Sequence, residues 1–298
     1  PRGYYRIQVP WFLKSERRGN GADVDELDNA LLDGSAADVP MAGEIGLFVA
    51  VSCHYTHPGA NSEARILLEY GHGLFEDYEA PGRWGWTADI ANEAVAALWA
   101  VNWRGMSRFD ILDATGILMW NNDRIENFMA GLTQAFATKV AAQQIVRLIL
   151  DADEGRKHFN TKGLEPTPAT LPARYMGVSL GAILGGGYVP FMQYERAVLL
   201  IGGSCFSFIF GRSYLFTFYR VVMDQQYYTR ADLRLAMTSW QVIVGSFEAT
   251  RQAARALHRY RQIYRTKQHH PAATHRIRHI APTLQRGGQD GDVHRRCR

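Results

Sequence analysis

The chain has 298 residues, 47% hydrophobic and 21% charged, a globular composition that excludes a wholly disordered or low-complexity polymer. Its net charge of +4 conceals two unlike regions: residues 251–298 carry 12 Lys/Arg against 2 acids, a balance of +10, and residues 1–250 carry 21 against 27, a balance of −6. Three cysteines, Cys53, Cys205 and Cys297, have no metal-type spacing and argue against a disulfide scaffold.

In chain order, 4–13 reads as a strand and 17–38 as a polar Asp/Gly-rich loop. A β-rich run at 44–53 and turn chemistry around Pro58-Gly59 complete an N-terminal β-rich extension, 1–62. The chain opens on Pro1 rather than Met and shows no leader pattern, the expectation for a fragment or processed product.

From residue 63 the pattern alternates. The run 64–70 (ARILLEY) is a buried strand that stops at Gly71-His72-Gly73. Residues 86–94 have helical spacing with Thr87 as N-cap, and 96–103 is the next apolar strand. Apolar residues at steps of three and four (Ile125, Phe128, Met129, Leu132, Phe136, Val140) predict a long amphipathic helix over 121–150. Then come a strand at 174–178, a helix at 180–189 and a strand at 196–201. Short buried strands alternating with helices predict a mostly parallel sheet covered on both faces. An aromatic-rich helical segment is expected over 214–259. The domain expectation is therefore a core at 63–250, with a helical cap at about 204–250 and a basic tail at 251–298. Residues 197–219 are apolar, but Gly202-Gly203 and Arg212 interrupt them, so no membrane span is expected.

Gly177-Val178-Ser179-Leu180-Gly181 matches Gly-x-Ser-x-Gly. Such a serine sits on a strained strand-to-helix turn. Glycines two residues to either side allow the close packing, and the following helix N-terminus favours developing negative charge. The bland alternative is a Gly-rich turn that only packs or cradles a phosphate; a dinucleotide fingerprint is absent here. The second element is the Tyr70–Phe75 loop (YGHGLF). A tetrahedral intermediate needs two amide donors, expected from Leu180 and from the Gly73-Leu74 segment, with His72 ordering the loop rather than acting as base.

These residues carry a resemblance. The strand, His-Gly loop, helix, strand, long helix, strand, serine turn, helix and strand follow the order of the α/β-hydrolase fold. The segments YGHGLF, NWRGMS, YMGVSLGAILGG, ERAVLLIGG and GRSYLF look like a group of largely uncharacterised bacterial α/β-hydrolases, over residues 45–250. The resemblance implies Ser179 as nucleophile and Leu180 with Gly73-Leu74 as oxyanion hole; esterase-like activity is implied by analogy alone. The sequence departs from the family after Phe247. No final strands with an acid loop and a histidine loop follow, and the Arg/His-rich ending is what a shifted reading frame or foreign ending would produce.

A serine hydroxyl needs a base. Downstream histidines are His258, His269, His270, His275, His279 and His294; Asp292 and His294, in a Gly-Asp-x-His context, are the favoured acid and base. Asp224 and Asp232 are alternative orienting acids, though a helix N-cap or solvated face is the favoured reading of both. His275 and His279 lie four apart, but no carboxylate or thiolate is near and Pro271 breaks the helix, so no metal is expected, nor any cofactor. The expectation is a serine hydrolase acting on a small-molecule ester or amide, the substrate apolar. The alternatives are a non-catalytic relic of the same fold, or nucleic-acid or acidic-surface binding by the basic tail, which carries no recognisable binding motif.

Overall fold

A computed structural model describes residues 2–12, 41–56, 65–119, 125–192, 194–202, 212–217, 221, 224 and 229–245. Six strands form one sheet: β1 (Arg2–Trp11), β2 (Met41–Val51), β3 (Ile66–Gly71), β4 (Ala96–Val101), β5 (Ala173–Val178) and β6 (Arg196–Leu200), in the order β1-β2-β4-β3-β5-β6. β1 pairs antiparallel with β2, and β2 antiparallel with β4; β4, β3, β5 and β6 run parallel. Residues 1–62 thus supply two strands of the same sheet.

Patterning explains each strand's place. β1 alternates, turning Tyr5, Ile7, Val9 and Trp11 inward while Arg6 and Gln8 face solvent, as suits a strand covered on one side. β3 and β4 are buried at every residue because helices cover both faces. On one face, Leu67, Ala97, Trp99 and Val101 pack against Ala141, Ala142, Val146 and Leu150 of a 27-residue helix, Ile125–Asp151. On the other, Leu68, Tyr70, Leu98 and Ala100 meet Tyr78, Ala80 and Ala91.

The helices, in chain order, are α1 (Cys53–Thr56), α2 (Ala80–Arg83), α3 (Gly85–Glu93), α4 (Ile111–Met119), α5 (Ile125–Asp151), α6 (Asp153–His158), α7 (Leu180–Tyr188) and α8 (Arg230–Gly245). This is an α/β-hydrolase-type fold: a mixed sheet, parallel from β4 to β6, with helices on both faces and a strand–turn–helix at Ser179. Among the described residues no strand follows β6.

Three local expectations differ. Thr87 does not cap its helix: α3 begins earlier, at Gly85, and the Thr87 hydroxyl donates back to Trp84 O (2.6 Å) and Pro81 O (2.5 Å). β6 is a strand as expected, but all five of its residues are exposed rather than buried. Helix α4 lies in a stretch to which the sequence reading assigned no element. Asp232, for which the sequence favours a helix cap over an orienting acid, closes a capping box. Its carboxylate accepts the Thr229 N–H (3.0 Å) and hydroxyl (2.7 Å), and its own N–H donates to Thr229 Oγ1 (3.1 Å). Asp224 is exposed. Among the described residues no helix is long and apolar enough to cross a membrane, and no group of three or more His, Cys, Asp or Glu is placed to hold a metal ion.

Candidate functional site

Ser179 joins β5 to α7 with φ 54° and ψ −114°, a backbone conformation that side chains disfavour. Three contacts hold it there. Its N–H donates to Leu200 O of β6 (2.9 Å), and its carbonyl accepts Ala182 N–H (2.9 Å) and Ile183 N–H (3.1 Å) in the first turn of α7.

The glycines around it are required by approach distance. A Cβ on Gly181 would lie 2.0 Å from Gly71 O and 2.9 Å from His72 O; one on Gly177 would lie 2.3 Å from Gly181 O. The first turn of α7 therefore rests on the backbone at the end of β3, with no room for a methyl group. Tyr175 Oη donates to Gly181 O (2.6 Å) and locks the same turn from β5. Ser179 and the loop after β3 are thus brought together by backbone contact, and Leu180, Leu74 and Phe75 share one apolar cluster.

That loop is tightly bonded. His72 is fully buried; its Nδ1–H donates to Gly73 O (2.7 Å) and its Nε2 accepts the Trp103 N–H (2.8 Å). Burial pushes its pKa down to about 3, so the ring is neutral, with both nitrogens occupied by backbone. Gly73 N–H donates to Glu76 Oε2 (2.7 Å), Phe75 N–H to Met106 O (3.1 Å) and Glu76 N–H to Gly73 O (3.3 Å). Phe75, like Ser179, has positive φ, 55°. The Gly73 amide, expected from sequence as an oxyanion donor, is therefore already committed; the Leu74 amide has no acceptor among the described residues.

Beneath the loop lies a charged pair that sequence reasoning missed. Lys139 of α5 and Glu69 of β3 are both fully buried and meet at 2.8 Å. The ammonium also sits 4.0 Å from the centre of the Trp103 ring. Glu69 Oε2 accepts hydroxyls from Tyr188 (3.1 Å) and Tyr194. Burial lowers the Lys139 pKa, opposed by Glu69, and raises the Tyr188 and Tyr194 hydroxyls well above 10. The signal available in sequence was one charge in each of two otherwise apolar segments, ILLEYG and AFATKVAA.

His294 and Asp292 lie outside the described residues, as do His258, His269, His270, His275 and His279. The other described histidines, His54 and His158, are exposed on α1 and α6.

No protein-family model and no curated protein matches the sequence. Among solved structures, prolyl oligopeptidase B from Galerina marginata bound to a 35mer hydrolysis and macrocyclization substrate is similar over 70% of this chain and 22% of its own, at 14% identity and TM-score 0.32. The apo form of that enzyme is similar over 71% and 22%, at 14% identity and TM-score 0.31. A structure from work on two prolyl endopeptidases is similar over 67% and 21%, at 15% identity and TM-score 0.27. The chain spans about a fifth of the length of these structures.

Proposed function

We propose that the chain is a serine hydrolase that cleaves an ester or amide through an acyl-enzyme on Ser179. The observation that carries this reading is the positive-φ serine between a strand and a helix whose first turn is pressed against the Gly71-His72 backbone. A serine at such a turn has an exposed hydroxyl beside the orphan amides of a helix N-terminus.

In the proposed reaction the Ser179 hydroxyl attacks the substrate carbonyl as a base takes its proton, forming a tetrahedral oxyanion. The Leu180 and Leu74 amides hold that oxyanion, with Gly73 contributing its bond to Glu76 rather than to substrate. Collapse expels the leaving group, which takes the proton from the base. Water then attacks the acyl-serine by the same route and releases the acid. His294 is the proposed base and Asp292 its orienting acid. His72, neutral and bonded at both nitrogens, orders the loop. The chemistry calls for no cofactor. An apolar acyl group suits the partly buried Leu74 and Phe75, which pack in the same apolar cluster as Leu180. The narrower likeness to a bacterial hydrolase group, and a cap at about 204–250, belong to this same reading, with the core extended to the two strands that residues 1–62 add to the sheet.

A fluorophosphonate probe tests it. Labelling of the full chain that disappears in Ser179→Ala supports the enzyme. An unlabelled, folded wild-type chain favours a non-catalytic relic of the fold.

A further inference from the structure

We propose that Glu76 is a positioning residue for the oxyanion loop, leaving Leu74 as the loop's single available donor. The assignment rests on the Ser179 reading and adds to it a side chain that no motif singles out.

Three of the four amides from Gly73 to Glu76 are committed: Gly73 to Glu76 Oε2, Phe75 to Met106 O, and Glu76 to Gly73 O. Glu76 makes two of these bonds, one through its side chain and one through its backbone. The side-chain bond, to a carboxylate, is charge-assisted and at 2.7 Å is short and strong. The other carboxylate oxygen, Oε1, accepts the indole N–H of Trp84 (3.3 Å), the residue between α2 and α3. Its carbonyl accepts the Arg108 N–H (2.9 Å), tying the loop to the segment after β4. The neighbouring Asp77, fully buried, is held by Arg83 (2.9 Å) and Arg108. Glu76 therefore ties together the segments that follow β3, β4 and α2, closing a turn whose third residue, Phe75, is in the left-handed region.

A loop amide stabilises an oxyanion in proportion to how well it is fixed before reaction. Removing the Glu76 carboxylate releases the Gly73 N–H and loosens the turn that maintains Phe75 at positive φ. The Leu74 amide then samples orientations that miss the oxyanion. A fault of this kind lowers the chemical step and leaves ground-state binding alone.

The test compares Glu76→Ala and Glu76→Gln in the full chain, using fluorophosphonate labelling rates and p-nitrophenyl butyrate hydrolysis. Glu76→Ala is expected to lower kcat and the labelling rate by about 10- to 100-fold, with KM changed less than about twofold. Glu76→Gln keeps an oxygen acceptor for the Gly73 N–H and is expected to stay within about threefold of wild type. Should Glu76→Ala fail to fold, Trp84→Phe removes only the outer anchor and is expected to lower kcat by about two- to fivefold. A Glu76→Ala chain with wild-type kcat, a loss confined to KM, or equal losses in Ala and Gln overturns the assignment while leaving Ser179 in place. A wild-type chain that neither labels nor turns over overturns the Ser179 reading and this assignment with it.

Discussion

β3 and β6 flank the same strand, β5, yet they are held in opposite ways. On the β3 side, helix α7 touches backbone directly: Gly181 lies against Gly71 and His72, Tyr175 bonds the turn, and every residue of β3 is buried. On the β6 side, Val198, Leu199 and Leu200 are 52%, 45% and 39% exposed, although the strand's hydrogen bonds to β5 are regular. The serine turn is thus pressed against backbone toward β3 and tied toward β6 by the Ser179 N–H bond to Leu200 O, and apolar content alone does not tell a buried strand from an exposed one.

The largest effect that would break this comparison lies under the β3 side. Lys139→Met leaves the Glu69 carboxylate buried without its cation and is expected to cost about 3–5 kcal/mol. Pairing it with Glu69→Leu removes both charges and should recover most of the loss; urea unfolding of the single and double variants measures both. A small cost for the single variant would mean that this half of the core is looser than its burial implies.

Next in size is Gly181→Ala. Overpacking among side chains costs about 1–3 kcal/mol, and an obstacle made of backbone puts this change at the upper end or beyond. Val198→Thr on β6 should alter stability by less than about 0.5 kcal/mol. Equal shifts in denaturation midpoint for the two variants would erase the distinction between the flanks.

Much of the β3 flank was legible in sequence. β3, β4, α5, β5 and α7 fall within a few residues of their expected bounds because apolar runs end at glycines and the helix spacing is clean. The Gly177-x-Ser179-x-Gly181 pattern located the strained turn, since the same glycines are what the close packing demands. The Glu69–Lys139 pair was not legible. Its partners stand 70 residues apart, and each alone looks like a stray charge in an apolar run. Helix α4 escaped because its apolar residues show no clear polar face and Thr115-Gly116 weakens its helix propensity. The exposure of β6 escaped because Arg196–Leu200 has the composition of a core strand. Gly73 enters the expected oxyanion hole with Leu74 through the family resemblance; that its amide is taken by the carboxylate three residues on is visible only in three dimensions.

The His72 bonds give a pH test of the same flank. Its folded pKa is lowered to about 3, whereas an unfolded histidine titrates near 6.5. Between these values the unfolded chain binds a proton that the folded chain does not, so stability rises with pH across the window. The contribution is complete above about pH 6.5 and is lost as pH falls toward 3, by up to about tenfold in the unfolding equilibrium per pH unit. Denaturation midpoints from pH 4 to 7 should follow that slope (about 4 to 7 being the accessible part of the window), and His72→Gln, which does not titrate, should flatten it. An unchanged slope would mean that the ring is not held neutral at the loop.

The sharpest comparison makes the same substitution at a second glycine. A Cβ on Gly116, in α4, would meet nothing within 4 Å, and the residue lies inside a helix with no positive φ. Gly116→Ala should therefore stabilise the chain by about 0.5–1 kcal/mol, mainly by restricting the unfolded backbone. Gly181→Ala adds the identical methyl group at a helix start and meets two carbonyl oxygens. Opposite signs for the two variants in one unfolding assay would attribute the Gly181 penalty to the contact with Gly71 and His72 rather than to any general intolerance of alanine. If Gly116→Ala also destabilised, α4 would be packed against atoms that its open surroundings do not suggest, and glycine spacing would lose its value as a guide to where this fold is tightest.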